Sequence, residues 1–175
     1  MSNPFVIFDR DGTLIKHIHY LSDPDGVELS TNLILGLELL KERGFKFGII
    51  SNQSIINRGL ATMAQVDSVN SKVIELLKRA GLKIEFTYYC PHVPEESCSC
   101  RKPEPELGLV AIDNYQIDKS RSFMVGDQLS DVTFGHAIGF KAIQVGKTLK
   151  KIKAADFVTD DILSAAHWII SNLDK

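Results

Sequence analysis

The 175-residue sequence holds no apolar run near the roughly 18 residues that a membrane-spanning helix needs, so no contact with a membrane is expected. Nor does it carry an excess of charge. Its 20 Lys+Arg stand against 22 Asp+Glu, a formal net charge of -2, which leaves no basic face to hold nucleic acid. Cysteine is scarce. The three present all fall between positions 90 and 100, and an odd count fits poorly with a secreted disulfide framework. The segment from Met1 to Phe8 lacks the charged start and small-residue cleavage site of a signal peptide, so a cytoplasmic location is expected. No repeat, low-complexity tract or Pro/Gly/Ser linker interrupts the chain, and one domain over residues 1–175 is expected. What is present is ordinary for a folded protein, 44% hydrophobic and 24% charged, which excludes disorder.

Apolar runs alternate with helical patterns. Phe5-Val-Ile-Phe8, Phe45 to Ile50, Ile84 to Tyr89, Phe123-Met-Val125 and Phe140 to Val145 read as buried strands. Leu33, Leu37 and Leu40 recur at helical spacing after Asn32, an expected N-cap, with Gly44 as a stop. Thr62 and Gln65 form a capping-box pattern ahead of Val66, Val69, Val73 and Leu77. Leu107 to Tyr115, a short stretch from Phe134 to Ile138, and Ile162 to Leu173 complete the helices. This alternation predicts an α/β fold, a three-layer Rossmann-like parallel sheet with helices on both faces. Ligands of such sheets bind at the carboxyl ends of the strands. The basic run Lys147, Lys150, Lys151 and Lys153 reads as a solvated loop.

The residues that follow the strands carry the chemistry. Asp9-Arg10-Asp11-Gly12-Thr13 ends the first strand, Ser51-Asn52-Gln53-Ser54 the second, and Gly126-Asp127-Gln128-Leu129-Ser130-Asp131 the fourth. Arg101-Lys102-Pro103 lies between them. Taken singly, these segments could be turns, helix caps or solvated helix starts. Together they predict four carboxylates at one sheet edge, which would repel unless a cation joined them. Hard oxygen ligands in small number suit Mg2+. A metal with a lysine and an arginine can neutralise a phosphate, so that an aspartate attacks phosphorus. The expectation is phosphoryl transfer through an aspartyl-phosphate.

The order Asp-x-Asp-Gly-Thr, strand-Ser, Lys, Gly-Asp-x-x-x-Asp resembles the haloacid dehalogenase (HAD) superfamily of phosphohydrolases over nearly the whole chain. The resemblance implies that Asp9 is the nucleophile and Asp11 the general acid/base. Ser51 and Lys102 would hold the phosphoryl group. Magnesium would be bound by Asp9, the Asp11 backbone carbonyl and Asp127, with Asp131 behind them. An acid/base at position 11 favours phosphatase over dehalogenase chemistry. It also argues against a non-catalytic phosphate-binding module, the alternative from another class.

Cys90-Pro91-His92, followed by Cys98-Ser99-Cys100, offers three thiolates and an imidazole, a closed tetrahedral shell for structural Zn2+. The loop, at about 90–100, runs straight into Arg101 and Lys102. Cys-Pro-His-x-Pro with Cys-x-Cys-Arg-Lys-Pro looks like the zinc-bearing, nearly cap-less branch of the superfamily that holds heptose bisphosphate and histidinol-phosphate phosphatases. The chain has no domain-sized insert after Asp11 or Ser51, in keeping with a minimal cap. Ser51 to Ser54 with Arg58, Tyr88 to His92, and the loop His17-Ile-His19-Tyr20 resemble the heptose enzymes. The five-residue gap between His92 and Cys98 resembles the histidinol-phosphate enzymes. The substrate set implied by the resemblance is His17, His19, Tyr20, Ser51, Asn52, Gln53, Ser54, Arg58, Arg101, Lys102 and Gln128. The partner expected is a small phosphorylated molecule, bound by a monomer.

Overall fold

Phe5, Val6, Ile7 and Phe8 are all fully buried, as a strand covered on both faces must be. They form β1 (Phe5–Phe8), the centre of a sheet completed by β2 (Lys46–Asn52), β3 (Ile84–Cys90), β4 (Phe123–Gly126), β5 (Lys141–Val145) and β6 (Phe157–Thr159). The computed structural model describes residues 2–146 and 151–173, so Lys147 and Lys150 of the basic run lie outside the described residues. Every strand pairing is parallel, in the order β3-β2-β1-β4-β5-β6. The helices are α1 (Leu33–Glu42), α2 (Met63–Arg79), α3 (Glu106–Tyr115), α4 (Leu129–Ala137) and α5 (Ile162–Ser171).

The two-residue period of the strands sorts the core into two clusters. Val6, Phe8, Phe123, Val125, Ile143 and Val145 face one side, where Leu33, Leu37 and Leu40 of α1, Val69, Val73 and Leu77 of α2, and Ile162, Ala165 and Ile169 of α5 cover them. Phe5, Ile7, Met124 and Ala142 face the other, beneath Ala111 of α3 and Val132 and Phe134 of α4. The three-layer expectation holds.

Local chemistry explains most boundaries. Thr62 caps α2 as predicted: its hydroxyl accepts from Gln65 N, and Gln65 Oε1 accepts from Thr62 N at 2.9 Å. Asn32 does not cap α1 with its side chain. It sits at φ +60°, a left-handed geometry in which Asn is tolerated, and its Nδ2 donates to Asp161 Oδ2 at 2.7 Å. The fourth helix begins at Leu129, a turn and a half ahead of the predicted Phe134 start, because Asp131 Oδ2 accepts from Gln128 N at 3.0 Å and secures its first turn. The edge strand β6 has no counterpart among the predicted strands.

Candidate active site

The sheet reverses its strand order beside β1, and the two strands that meet there, β1 and β4, end at Asp9 and Asp127. Asp9 N still donates to Val125 O at 2.9 Å, so its side chain springs from a backbone held by the sheet. The chain then turns at Gly12, whose φ is +82° and where an added Cβ would lie 2.6 Å from Asp127 Oδ2. Only glycine meets both demands at once. A crevice of about 400 Å3 opens here, lined by Asp9, Asp11, His17, Asn52, Arg101, Lys102 and Asp127 to Asp131.

Lys102 reaches the floor of this crevice. Its Nζ lies 2.7 Å from Asp9 Oδ1 and 2.6 Å from Asp131 Oδ1, and donates to Ile50 O at 2.6 Å. Its backbone is held from both sides by one side chain: Asn52 Oδ1 accepts from Lys102 N at 2.9 Å and Asn52 Nδ2 donates to Lys102 O at 3.0 Å. Burial alone would lower the Lys102 pKa, but the Asp131 and Asp9 carboxylates prevail and hold it at about 12. The lysine is therefore a permanent cation. Burial pushes Asp9 the other way, up to about 7, with Lys102 opposing and the Asp131 and Asp127 charges adding to the rise. Asp127 is raised by burial as well. One lysine thus leaves the acidic cluster under-compensated.

Carboxylate oxygens of Asp9, Asp127 and Asp131 lie within 4.8 Å of one another. An octahedral magnesium site, with oxygens at about 2.0–2.1 Å and so about 4 Å across, would fit such a spacing and an all-oxygen donor set. Four carboxylates line the crevice as expected, and three of them, Asp9, Asp127 and Asp131, bring oxygens close enough to share one ion. Asp11 turns its Oδ2 to Arg10 (Nε 3.0 Å, Nη2 2.9 Å) and to Gln53 Nε2 at 2.8 Å. Its Oδ1 is enclosed and has no hydrogen-bond partner.

Arg10, absent from the sequence-predicted set, is among the most deeply buried side chains, at 1% exposure. Beyond Asp11, its Nη1 donates to Asn70 Oδ1 at 2.8 Å and its Nη2 to Gln53 Oε1 at 2.9 Å. A signal was available. Asn70 is the one polar residue on the buried face of α2, among Val66, Val69, Val73 and Leu77. Such a residue needs a buried partner.

The predicted substrate set divides. His17 and Gln128 line the crevice, as do Asn52, Arg101 and Lys102. His19, Tyr20, Gln53 and Ser54 line an adjoining hollow of about 150 Å3 that also reaches His17 and Asp11. The side chains of Asn52 and Gln53 are committed to protein partners, and Ser51 Oγ accepts from Gln53 Nε2 at 3.2 Å. Gln128 Nε2 donates to Asp127 Oδ2 at 2.7 Å. Arg58 is exposed and lines neither space.

Cys90, His92, Cys98 and Cys100 come together as expected, each offering one ligand atom within 4.8 Å of the rest. Sγ of Cys90 lies 3.4 Å from His92 Nδ1, 3.5 Å from Cys98 Sγ and 3.0 Å from Cys100 Sγ. The edges of a zinc tetrahedron with bonds of 2.0–2.3 Å are about 3.3–3.8 Å, so the donor type and spacing fit zinc. Burial, and hydrogen bonding to its neighbours, hold the Cys90 thiol up. For Cys98, burial is outweighed by contacts with Cys90 and Cys100, which bring it down to about 7. Arg101 Nη1 donates to His92 O at 3.0 Å, which joins the cluster to the crevice wall.

Known proteins are similar to this chain in sequence and fold. A family model described as HAD-hydrolase-like matches residues 99–166. The D-glycero-beta-D-manno-heptose-1,7-bisphosphate 7-phosphatase of Helicobacter pylori strain J99 is 38% identical over 77% of this chain and 78% of its own length. That of Escherichia coli K12 is 32% identical over 98% of this chain and 91% of its own. Among solved structures, the D,D-heptose 1,7-bisphosphate phosphatase of B. bronchiseptica, complexed with magnesium and phosphate, superposes with a TM-score of 0.84. It is 23% identical and covers 96% of this chain and 98% of its own. The D,D-heptose 1,7-bisphosphate phosphatase of Burkholderia thailandensis gives 0.69 at 24% identity, over 97% and 100% of the two chains. With relatives more than 30% identical matched over 78% and 91% of their own lengths, the chain belongs to the HAD-like phosphohydrolases, in the family of the heptose bisphosphate phosphatases, and is a phosphoric monoester hydrolase.

Proposed function

We propose that this enzyme removes the 7-phosphate of a D-glycero-D-manno-heptose 1,7-bisphosphate through an aspartyl-phosphate on Asp9. The observation that carries the reading is the approach of Lys102 to Asp9 at 2.7 Å beneath the crevice, beside Asp127 and Asp131. The names of the relatives supply the substrate. In this reading Asp9 Oδ attacks phosphorus while Asp11 gives its proton to the departing sugar oxygen. Asp11, now a carboxylate, takes a proton from water. The water oxygen bonds to phosphorus, the bond from phosphorus to Asp9 breaks, and both carboxyl groups return to their starting state.

Lys102 neutralises the phosphoryl oxygens from below and Ser51 adds a hydroxyl. Magnesium would be held by Asp9, the Asp11 carbonyl and Asp127, with Asp131 orienting Lys102 and the start of α4. Bound there, it supplies charge neutralisation at the phosphoryl group. Zinc would be held by Cys90, His92, Cys98 and Cys100 in a structural role. The chain acts as one domain with a minimal cap. His17 to Tyr20 and Arg101 wall the sugar side, where Ser54 and Gln128 also stand.

Phosphate release from the heptose 1,7-bisphosphate and from histidinol phosphate, measured side by side with Mg2+, tests the reading. A clear preference for the heptose is expected. A preference for histidinol phosphate would keep the mechanism and replace the substrate. Release at the wild-type rate from Asp9→Asn would overturn the nucleophile assignment.

A further inference from the structure

The Asp11 carboxylate is treated unequally at its two oxygens. Oδ2 accepts two hydrogen bonds, from Arg10 Nε at 3.0 Å and Gln53 Nε2 at 2.8 Å, and Arg10 Nη2 stands 2.9 Å from it in the ion pair. Oδ1 receives none, although it is enclosed. The donors are themselves fixed. Arg10 is fully buried and spends its remaining nitrogens on Asn70 Oδ1 and Gln53 Oε1, at 2.8 and 2.9 Å. Gln53, 5% exposed, has its oxygen on Arg10 and its nitrogen on Asp11 and Ser51. Asn70 stands on the buried face of α2, so the assembly is backed by a helix rather than a loop.

From this we infer that Arg10 and Gln53, braced by Asn70, are positioning residues that decide which oxygen of Asp11 handles the proton. An oxygen already accepting two hydrogen bonds, with the Arg10 charge against it, has no lone pair left for a proton. The proton of the acid form must then reside on Oδ1, which is closed to solvent in the free protein and has to be uncovered as substrate binds before it meets the leaving oxygen and then water. When the ester bond breaks, the Oδ1–H bond breaks with it, the proton goes to the leaving oxygen, and its electron pair stays on a carboxylate whose Oδ2 is already met by the Arg10 charge. The unpartnered Oδ1 thereby gains its partner only when substrate is in place, which is where an interaction accelerates reaction. Gln53 is accordingly a holder of Asp11 rather than a group that reads the sugar. The inference rests on the proposed role of Asp11 as general acid.

The test exploits leaving groups. A phenolate with electron-withdrawing substituents departs without a proton, whereas an alkoxide does not. Gln53→Leu and Arg10→Lys are compared with wild type in kcat/KM, which reports the step in which the ester bond breaks, for an alkyl phosphate and for p-nitrophenyl phosphate, with Mg2+ present. The alkyl ester is expected to lose about 10–100-fold, part of the roughly 10²–10⁴-fold that general acid catalysis supplies. The aryl ester is expected to lose less than about threefold, because its departure needs no acid. Asn70→Ala should show a weaker form of the same asymmetry. Equal losses on both esters, or none, would overturn the inference, since a merely structural role cannot tell the leaving groups apart. Arg10→Lys could fail to fold, in which case Gln53→Leu alone decides. Asp11→Asn is the control: if it lacks the asymmetry, the general-acid reading itself fails, and the two failures are told apart.

Discussion

At the scale of single residues, the site is shaped by charge placed where water cannot screen it. Asp9 is the clearest case, its carboxyl pushed from an ordinary 3.8 to about 7 by burial and by its acidic neighbours. A raised carboxyl means that, across this window, the metal-free folded protein keeps a proton that the unfolded chain has released. Its stability therefore falls as pH rises from about 4 to 7. If Asp9 ligates Mg2+ as proposed, the metal must displace that proton. Its affinity, followed by thermal shift titration, is expected to tighten by close to tenfold per pH unit up to about 7 and then to level off. Asp9→Asn should remove that slope along with turnover, and a slope that runs on unchanged past pH 8 would contradict the Asp9 assignment. Gly12 gives a second test. Gly12→Ala places a Cβ 2.6 Å from Asp127 Oδ2 at a φ of +82°, so a loss of about 1–2 kcal/mol in stability should come with weaker Mg2+ binding, both readable by denaturant unfolding with and without the metal. The aspartates, Lys102 and the thiol cluster were legible in the sequence because each is an unusual residue at a strand end or in a short loop. Arg10 was not, since an arginine between two aspartates looks like surface until Asn70 is seen facing it.

Among elements, the decisive junction is between the end of β2 and the exit of the cysteine loop. Two independent anchors meet there: Asn52 grips both backbone polar groups of Lys102, and Arg101 bonds the carbonyl of His92, a residue of the thiol cluster. Because either anchor can hold Lys102 near Asp9, loss of one should be partly absorbed. Cys98→Ser is expected to abolish stoichiometric zinc by metal analysis and to raise KM by a few-fold, about 1 kcal/mol, with kcat less affected. Asn52→Ala should do much the same. The double variant should lose more than the product of the two, because neighbours that share one partner are not additive. A strictly multiplicative result would show that the loop does not position Lys102. The elements themselves divide by burial in how readable they were. Strands β1, β2, β4 and β5 are inner strands of a parallel sheet and announce themselves as apolar runs. The three residues of β6 sit half-buried at the edge, too few to show a period. Helix α4 opens with Leu129-Ser-Asp131, and there the Asp131 bond to Gln128 N, a tertiary-scale arrangement that also engages Lys102, does what local propensity does not. Asn32 does stand at the N-cap of α1, but its side chain bonds Asp161, far along the chain, instead of the first turn, a pairing that local sequence does not show.

For the molecule as a whole, the sheet separates what stabilises from what reacts. The two hydrophobic clusters fill its faces, while the groups proposed to react stand at the carboxyl ends of the strands, on side chains whose partners are one another. This predicts that stability can be lowered from a face without touching the chemistry. The contact of α1 with α5 offers the cleanest lever, for Gly36 of α1 lies against the backbone of Ile162, and a Cβ there would come 2.9 Å from both its carbonyl carbon and oxygen. A backbone cannot yield as a flexible side chain does, so the two helices must move apart. Gly36→Ala is expected to cost about 1–3 kcal/mol, the range for overpacked cores, and hence to lower Tm by roughly 2–4 °C per kcal/mol in a chain of this size. At 25 °C, far below the transition, kcat/KM and Mg2+ affinity should remain within about twofold of wild type, well under the 1.4 kcal/mol that a factor of ten represents. A fall in activity in step with the fall in Tm would mean that helix packing on this face sets the spacing of the strand ends, and that Asp9 and Asp127 are held at their separation by the core as much as by their own hydrogen bonds.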